Sequence, residues 1–285
     1  MYLQRLIAAT LPLFIAACSL AGDAAPTTSA PAKSAESGGS ADELSSGDSK
    51  VDAILDRLEE KGAAIKGLRC KLDYQYVIVD PVESRQIKEG DLFFARGEPN
   101  SKFLVHFTKK IADGIVQESG EYFAFDGRWL VERNDRAKKI IKREIAREGE
   151  KTDPFRIGKG PFPLPFGQKR THILRNFKTT LEPFTLGDPI QSQHLKCVPI
   201  PNTELASRYA RVDIFVDKRT ELPVRIVTER LKDGNRIEVD FREVDTSDAP
   251  AGSRFSIEEP KDFSIEIERL EPGSKAAGPA GLEMP

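Results

Sequence analysis

Residues 68–78 read LRCKLDYQYVI, and apolar side chains alternate with charged or amide ones from Leu68 to Tyr76. Successive side chains of a β-strand point to opposite faces, so this pattern predicts a strand with one buried face. The Asp80-Pro81 pair predicts the end of that strand, because proline cannot donate to a strand ladder. The fold is therefore expected to be built around a sheet with a core on one side.

A helix is predicted directly before this strand. Ser49-Lys50-Val51-Asp52 has the form of an N-terminal capping box, and Gly67 is a suitable helix end. Between them the apolar residues recur at helical spacing. They are Val51, Ile54, Leu55, Leu58, Ile65 and Leu68.

More strands are predicted downstream, with the hairpin turn Asp126-Gly127 as the strongest local signal. Residues 168–176 predict a short helix within the run of strands. The whole pattern indicates an α+β fold with a single twisted antiparallel sheet of about ten strands. The predicted strands are 87–96, 102–108, 122–125, 128–133, 138–145, 177–181, 195–200, 209–216, 223–231, 236–244 and 255–258.

One segment between the strands is unusually apolar for a loop. Residues 153–166 read DPFRIGKGPFPLPF, with four prolines that exclude a central strand and three phenylalanines. This Pro-rich segment is therefore neither a central strand nor an ordinary solvent-exposed loop.

The N-terminus is typical of a bacterial lipoprotein. Arg5 precedes an apolar stretch that ends Ile15-Ala16-Ala17-Cys18, which resembles a lipobox. Residues 1–17 are therefore predicted to be a signal peptide, and Cys18 the site of lipid attachment. An ordinary signal peptide followed by an incidental cysteine is the alternative. Ser19 after the cysteine favours the outer membrane over the inner one.

The chain divides into four predicted parts. After the signal peptide, residues 18–50 contain no aromatic side chain and are rich in Ala, Ser and Gly, which indicates a disordered linker. Residues 51–270 form the folded domain, which is expected in the periplasm. Residues 271–285 are a Gly-, Ala- and Pro-rich tail.

Composition excludes several classes of function. The net charge of -2 does not indicate nucleic-acid binding, and three cysteines do not make a four-thiolate zinc site. The chain has no H-E-x-x-H, G-x-S-x-G, P-loop or Rossmann motif. The three histidines, His106, His172 and His194, have no cysteine at ligand spacing. We therefore expect neither an enzyme nor a cofactor or metal site.

Five stretches resemble the bacterial Lol-type lipoprotein carrier and receptor family, and they occur in the family's order. No single stretch is specific, and Gly97-Glu98 intervene where the family has proline directly after the arginine. The stretches are EGDLFFAR (89–96), DGRW (126–129), GPFPL (160–164), 195–199 and FSIEEP (255–260).

The resemblance implies an incompletely closed β-barrel with helices as a lid, which binds acyl chains for lipoprotein sorting or lipid transport. It also implies a role for Arg96, since the family's arginine at this position bonds lid carbonyls and holds the empty cavity shut. The Pro-rich segment is its expected partner here. A snorkelling arginine at the sheet rim is the alternative.

Aromatic residues at alternate strand positions are the candidates for the cavity wall. A core packed under the helix is the simpler explanation for any one of them. A periplasmic interaction or sensor module, with a protein partner on the same concave face, is the alternative function. The sequence leaves the cargo and the oligomeric state open. The candidates are Tyr74, Tyr76, Phe94, Phe103, Phe107, Phe123, Phe125, Trp129, Phe162 and Phe166.

Two further expectations remain. Cys70 and Cys197 each lie on the face of their predicted strand that carries the apolar side chains, and the domain is expected to be exported to an oxidising compartment. A disulfide between them is therefore predicted, with two separate buried thiols as the alternative. Residues 128–151 hold nine Lys or Arg against five Asp or Glu. This stretch is interpreted as a solvated hairpin, or else as a site that faces anionic head groups.

Overall fold

The computed structural model describes residues 44–151, 157 and 166–271. The predicted signal peptide, Cys18 and Phe162 lie outside these residues. So do most of the predicted linker, most of the Pro-rich segment, and the tail apart from Glu271.

Helix α1 spans Ser49–Ala64 and begins one residue earlier than a capping box led by Ser49 would place it. The N-cap is Asp48, whose carboxylate accepts a hydrogen bond from the Lys50 amide at 2.8 Å. Asp52 instead accepts from Ser45 Oγ at 2.6 Å, and so orders the residues before the helix. The helix ends at Ala64, three residues before the predicted stop at Gly67.

Twelve strands form one sheet within the described residues, rather than about ten. A second helix, α2, spans Arg170–Asn176 as predicted. The strands are β1 Gly67–Ile78, β2 Ser84–Ala95, β3 Lys102–Ala112, β4 Ile115–Phe125, β5 Trp129–Asn134, β6 Lys139–Glu144, β7 Phe177–Glu182, β8 Ser192–Pro199, β9 Tyr209–Asp217, β10 Pro223–Arg230, β11 Arg236–Asp245 and β12 Ser264–Glu268.

The sheet is open, with the strand order β12-β6-β5-β4-β3-β2-β1-β11-β10-β9-β8-β7. Strand β1 lies near the middle and joins a meander of β2 to β6 to a second meander of β7 to β11. Strands β12 and β7 are the two edges, so the predicted incompletely closed β-barrel of class α+β is confirmed.

The C-terminal part of the sheet differs from the prediction. Residues Gly252–Phe255 form a 3-10 turn, not the start of a closing strand, because Phe255 is buried against Leu104 and Ala124. The last strand is β12, and it runs parallel to β6. The sheet is therefore mixed rather than wholly antiparallel.

The main core lies between α1 and one face of the sheet, called here the inner face. Val51, Ile54, Leu55 and Leu58 of α1 are all at most 2% exposed, and they belong to one cluster with the inner-face side chains of both meanders. A smaller cluster around Leu104 covers the opposite, outer face. The helix therefore occupies the interior of the half-barrel.

Candidate functional site

The inner face carries most of the predicted cavity residues. These aromatic side chains interlock through edge-to-face contacts, such as Tyr74 on Phe107 with ring centroids 5.9 Å apart and Phe107 on Phe123 at 6.2 Å. Burial raises the pKa of the Tyr74 hydroxyl. The structure thus brings six of the ten candidates into the cluster under α1: Tyr74, Phe94, Phe103, Phe107, Phe123 and Phe125.

Three of the remaining candidates are described, and they differ in position. Tyr76 and Phe166 are partly buried against the inner cluster, and Phe166 meets Phe241 edge-to-face at 4.9 Å. Trp129 belongs to the outer face instead, because its neighbour Leu130 takes the buried inner position. The assignment of Trp129 to the cavity wall is therefore wrong.

A buried ion pair lies among the inner aromatics, and the sequence prediction missed it. The Lys88 ammonium is 2.7 Å from Glu121 Oε2, and its side chain is only 7% exposed. The same ammonium lies 5.8 Å from the centroid of the Phe107 ring. The sequence contained a sign of this pair, since Lys88 lies on the same face of β2 as the apolar residues Leu92 and Phe94. The inner face is thus apolar around one compensated pair of charges.

Arg96 fastens the C-terminal end of helix α1. Its Nη2 donates to the Gly62 carbonyl at 2.6 Å, and its Nε donates to the Ile65 carbonyl at 2.8 Å. The last carbonyls of a helix lack partners within the helix and attract cations, which explains the choice of an arginine. Arg96 therefore bonds the end of α1, and its predicted partner, the Pro-rich segment, lies mostly outside the described residues.

A second arginine, Arg170, links helix α2 to α1 through ion pairs and a hydrogen bond. The Arg170 guanidinium is 3.0 Å from Asp56 and 3.5 Å from Asp52, and the Arg170 amide donates to Glu59 at 2.8 Å. Near the other end of α1, Gly62 lies so close to Gly167 that an added Cβ would stand 2.7 Å from the Gly167 Cα. The two helices therefore form one lid over the inner face.

Cys70 and Cys197 are free buried thiols, and the predicted disulfide is absent from the structure. Cys70 lies on β1 and Cys197 on β8, and three strands separate these two in the sheet. Neighbouring strands are about 4.8 Å apart, whereas a disulfide needs Cα atoms within about 7 Å. Burial raises the pKa of each thiol to about 12.

We expect both thiols to resist labelling in the folded protein. With a pKa near 12 rather than about 8.5, the thiolate fraction at pH 8 falls by about three orders of magnitude. A full chain carrying Cys18→Ala should label slowly when native, and should give two thiols per chain when denatured without reductant. Fewer than two thiols in the denatured, unreduced chain would reinstate the disulfide.

His106 and His194 serve packing and hydrogen bonding. His106 stacks on Tyr122 of the outer face with ring centroids 4.1 Å apart, and desolvation lowers its pKa. His194 Nε2 is 2.9 Å from Asp213 Oδ1. Within the described ranges, no group of three or more potential ligands could hold a metal ion. Across the same residues, no helix is both long and apolar enough to span a membrane.

Comparison with known proteins gives matches at the level of structure. No family model and no curated protein matches the chain. An uncharacterized conserved protein from Thermus thermophilus is 11% identical with a TM-score of 0.46, over 78% of this chain and 99% of that one. A LolA superfamily protein from Nitrosomonas europaea is 14% identical with a TM-score of 0.35, over 72% and 97%.

The Pseudomonas aeruginosa MucA/MucB complex is also similar, at 14% identity and a TM-score of 0.39, over 76% of this chain and 63% of that one. Solved structures similar to this chain therefore include a member of the LolA superfamily and a protein crystallised with a protein partner.

Proposed function

We propose that the protein is a lipid-anchored periplasmic carrier that binds acyl chains for lipoprotein sorting or lipid transport. The observation that supports this most is the apolar inner face under α1, a helix that one arginine fastens at its C-terminal end. Release of that end would expose a wide apolar surface inside the half-barrel.

An acyl chain can replace the helix at little net cost. The four buried side chains of α1 contribute roughly 6–12 kcal/mol, at about 1.5–3 kcal/mol each. A sixteen-carbon chain contributes ~12 kcal/mol, at ~0.8 kcal/mol per CH₂. Because the two terms are similar, binding and release would depend on smaller contacts such as those of Arg96. This balance is what a protein that hands its cargo on requires.

The tether is a separate part of the proposal. A flexible linker of about 30 residues reaches roughly 30 Å, enough for the folded domain to stand clear of the membrane. We expect Cys18→Ala to move the protein from the membrane fraction to the soluble fraction, or to block processing of the signal peptide. Fractionation followed by mass measurement checks this, and unchanged membrane association with unchanged size would contradict it.

Fluorescent sixteen-carbon fatty acid provides the test of acyl binding. We expect the full chain carrying Cys18→Ala to bind it saturably. Phe123 and Tyr122 are adjacent on β4 but lie on opposite faces. Phe123→Leu should therefore weaken binding several-fold, whereas the matched Tyr122→Leu should not. Absence of binding, or equal effects of the two variants, would exclude the inner face as an acyl site.

Helix α1 itself occupies the inner face, and this observation favours a second candidate function. Since α1 is an amphipathic helix seated in an apolar groove, a helix of a protein partner fits the same position. The protein would then be a periplasmic interaction or sensor module. Tight binding of a partner helix without any binding of the fatty acid would favour this alternative.

A further inference from the structure

The basic hairpin of β5 and β6 is neither simply solvated nor open to anions. Strand β6 has β5 on one side and the short strand β12 on the other. The segment around β12 is acidic, and it supplies partners to the cations of β6 and its flanks. The contacts are Lys138–Asp262 at 2.8 Å, Lys139–Glu266 at 2.8 Å, Lys142–Glu259 at 2.8 Å and Arg143–Glu268 at 2.7 Å.

Strand β12 differs from the other strands in three ways. It has only five residues, it makes the one parallel pairing of the described sheet, and every one of its residues is exposed. Its apolar side chains are not covered, since Ile265 is 44% and Ile267 54% exposed. The strand is thus held by its ladder with β6, by surface charge pairs, and by contacts of the residues next to it, such as Phe263 with Arg133 and the Leu270 amide with Glu144.

Such a strand is held weakly. An exposed ion pair contributes about 0–1 kcal/mol and is screened by salt. When β12 leaves, β6 becomes an edge strand whose backbone groups are unpaired, and such an edge readily accepts another strand. Lys139 and Arg143 then lose the carboxylates of Glu266 and Glu268, which lie on the same face of the ladder.

We propose that the edge of β6 is a binding site for an acidic extended segment of a partner protein, and that β12 occupies it when the partner is absent. The ladder selects an extended backbone parallel to β6. Lys139 and Arg143 select carboxylates two residues apart, as in Glu266 and Glu268. A strand rather than a lipid head group is the ligand because the present occupant is a strand with a backbone ladder.

The test uses full-length protein and a fluorescent peptide with the sequence of residues 262–271, DFSIEIERLE. Glu266→Lys/Glu268→Lys should repel β12 from β6 and free the edge. We expect this variant to bind the peptide at least tenfold more tightly than the wild type, by fluorescence anisotropy at low salt. High salt should weaken the binding.

Two further variants make the test specific. Glu243→Lys/Asp248→Lys makes the same change of charge at exposed positions away from the edge, and should bind like the wild type. Ile267→Pro should also free the edge, without any change of charge, because proline breaks a strand ladder. Thermal unfolding confirms that each variant is folded.

The proposal is overturned if neither edge variant binds the peptide more tightly than the wild type. It is also overturned if a scrambled peptide of the same composition binds equally well, because that result indicates charge attraction without a ladder. Binding of the edge variants to phosphatidylglycerol vesicles but not to the peptide would assign the basic strand to lipid instead.

Discussion

Glu121→Ala should lower the free energy of unfolding by about 3–5 kcal/mol, because it leaves the Lys88 ammonium buried without its partner. Glu121 Oε2 is 2.7 Å from that ammonium, and the Lys88 side chain is almost inaccessible to water. Interaction with the Phe107 ring at 5.8 Å compensates only part of the charge. Denaturant unfolding at neutral pH measures the loss.

Two companion variants identify the cause. Glu118→Ala removes an exposed carboxylate from the same strand and should change stability by less than about 0.5 kcal/mol. Lys88→Met/Glu121→Leu removes both charges and should recover most of the loss, since a well-packed apolar pair often replaces a buried ion pair. Equal stability of Glu121→Ala and Glu118→Ala would show that the pair is not desolvated in solution.

Arg96→Leu should leave the sheet intact but shift the lid towards its open state. The substitution removes two hydrogen bonds from a charged donor, to the carbonyls of Gly62 and Ile65. Such bonds contribute about 1.5–3 kcal/mol each. Because these bonds form only with α1 in place, their loss favours the acyl chain over the helix. We expect binding of the fluorescent fatty acid to tighten by about a hundredfold or more, with slower transfer to liposomes.

The matched control for Arg96→Leu is Arg69→Leu. Arg69 is also an arginine of the central strands, but it is exposed and paired with Asp245 at 2.6 Å. It should bind and transfer the fatty acid like the wild type. Hydrogen exchange of α1 should rise only in Arg96→Leu. If both variants behave like the wild type, Arg96 caps the helix without controlling access to the inner face.

The central strands could be predicted because a single rule decided them. The alternation around Leu72 indicates that every second side chain faces α1, and the same rule correctly predicts that Phe107 and Phe125 are buried. The rule failed at Trp129, where the turn through Asp126 and Gly127 puts Leu130, not the larger aromatic, on the inner face. The size and hydrophobicity of the side chains did not reveal which face of this short strand is buried.

Other features depend on contacts that a local pattern does not contain. The first half of β4, from Ile115 to Gly120, was not predicted because its side chains are mostly exposed. The bonds from Arg96 to the end of α1 were not predicted, because the sequence does not show that the unpartnered carbonyls of this helix lie within reach of Arg96. The Lys88–Glu121 pair joins β2 and β4. Its only sign in the sequence was the position of Lys88 on the apolar face of its strand.

The central position of β1 has a consequence for the order of folding. Within each meander every strand pairs with a neighbour in sequence, whereas β1 must also find β11, with Tyr74 opposite Val239. Closing that loop of about 165 residues costs about 2–3 kcal/mol more entropy than closing a ten-residue hairpin. We therefore expect the two meanders to form first and the β1–β11 seam to form last. The inner face draws on both meanders, so the surface that we propose for acyl chains is complete only when this long-range pairing has formed.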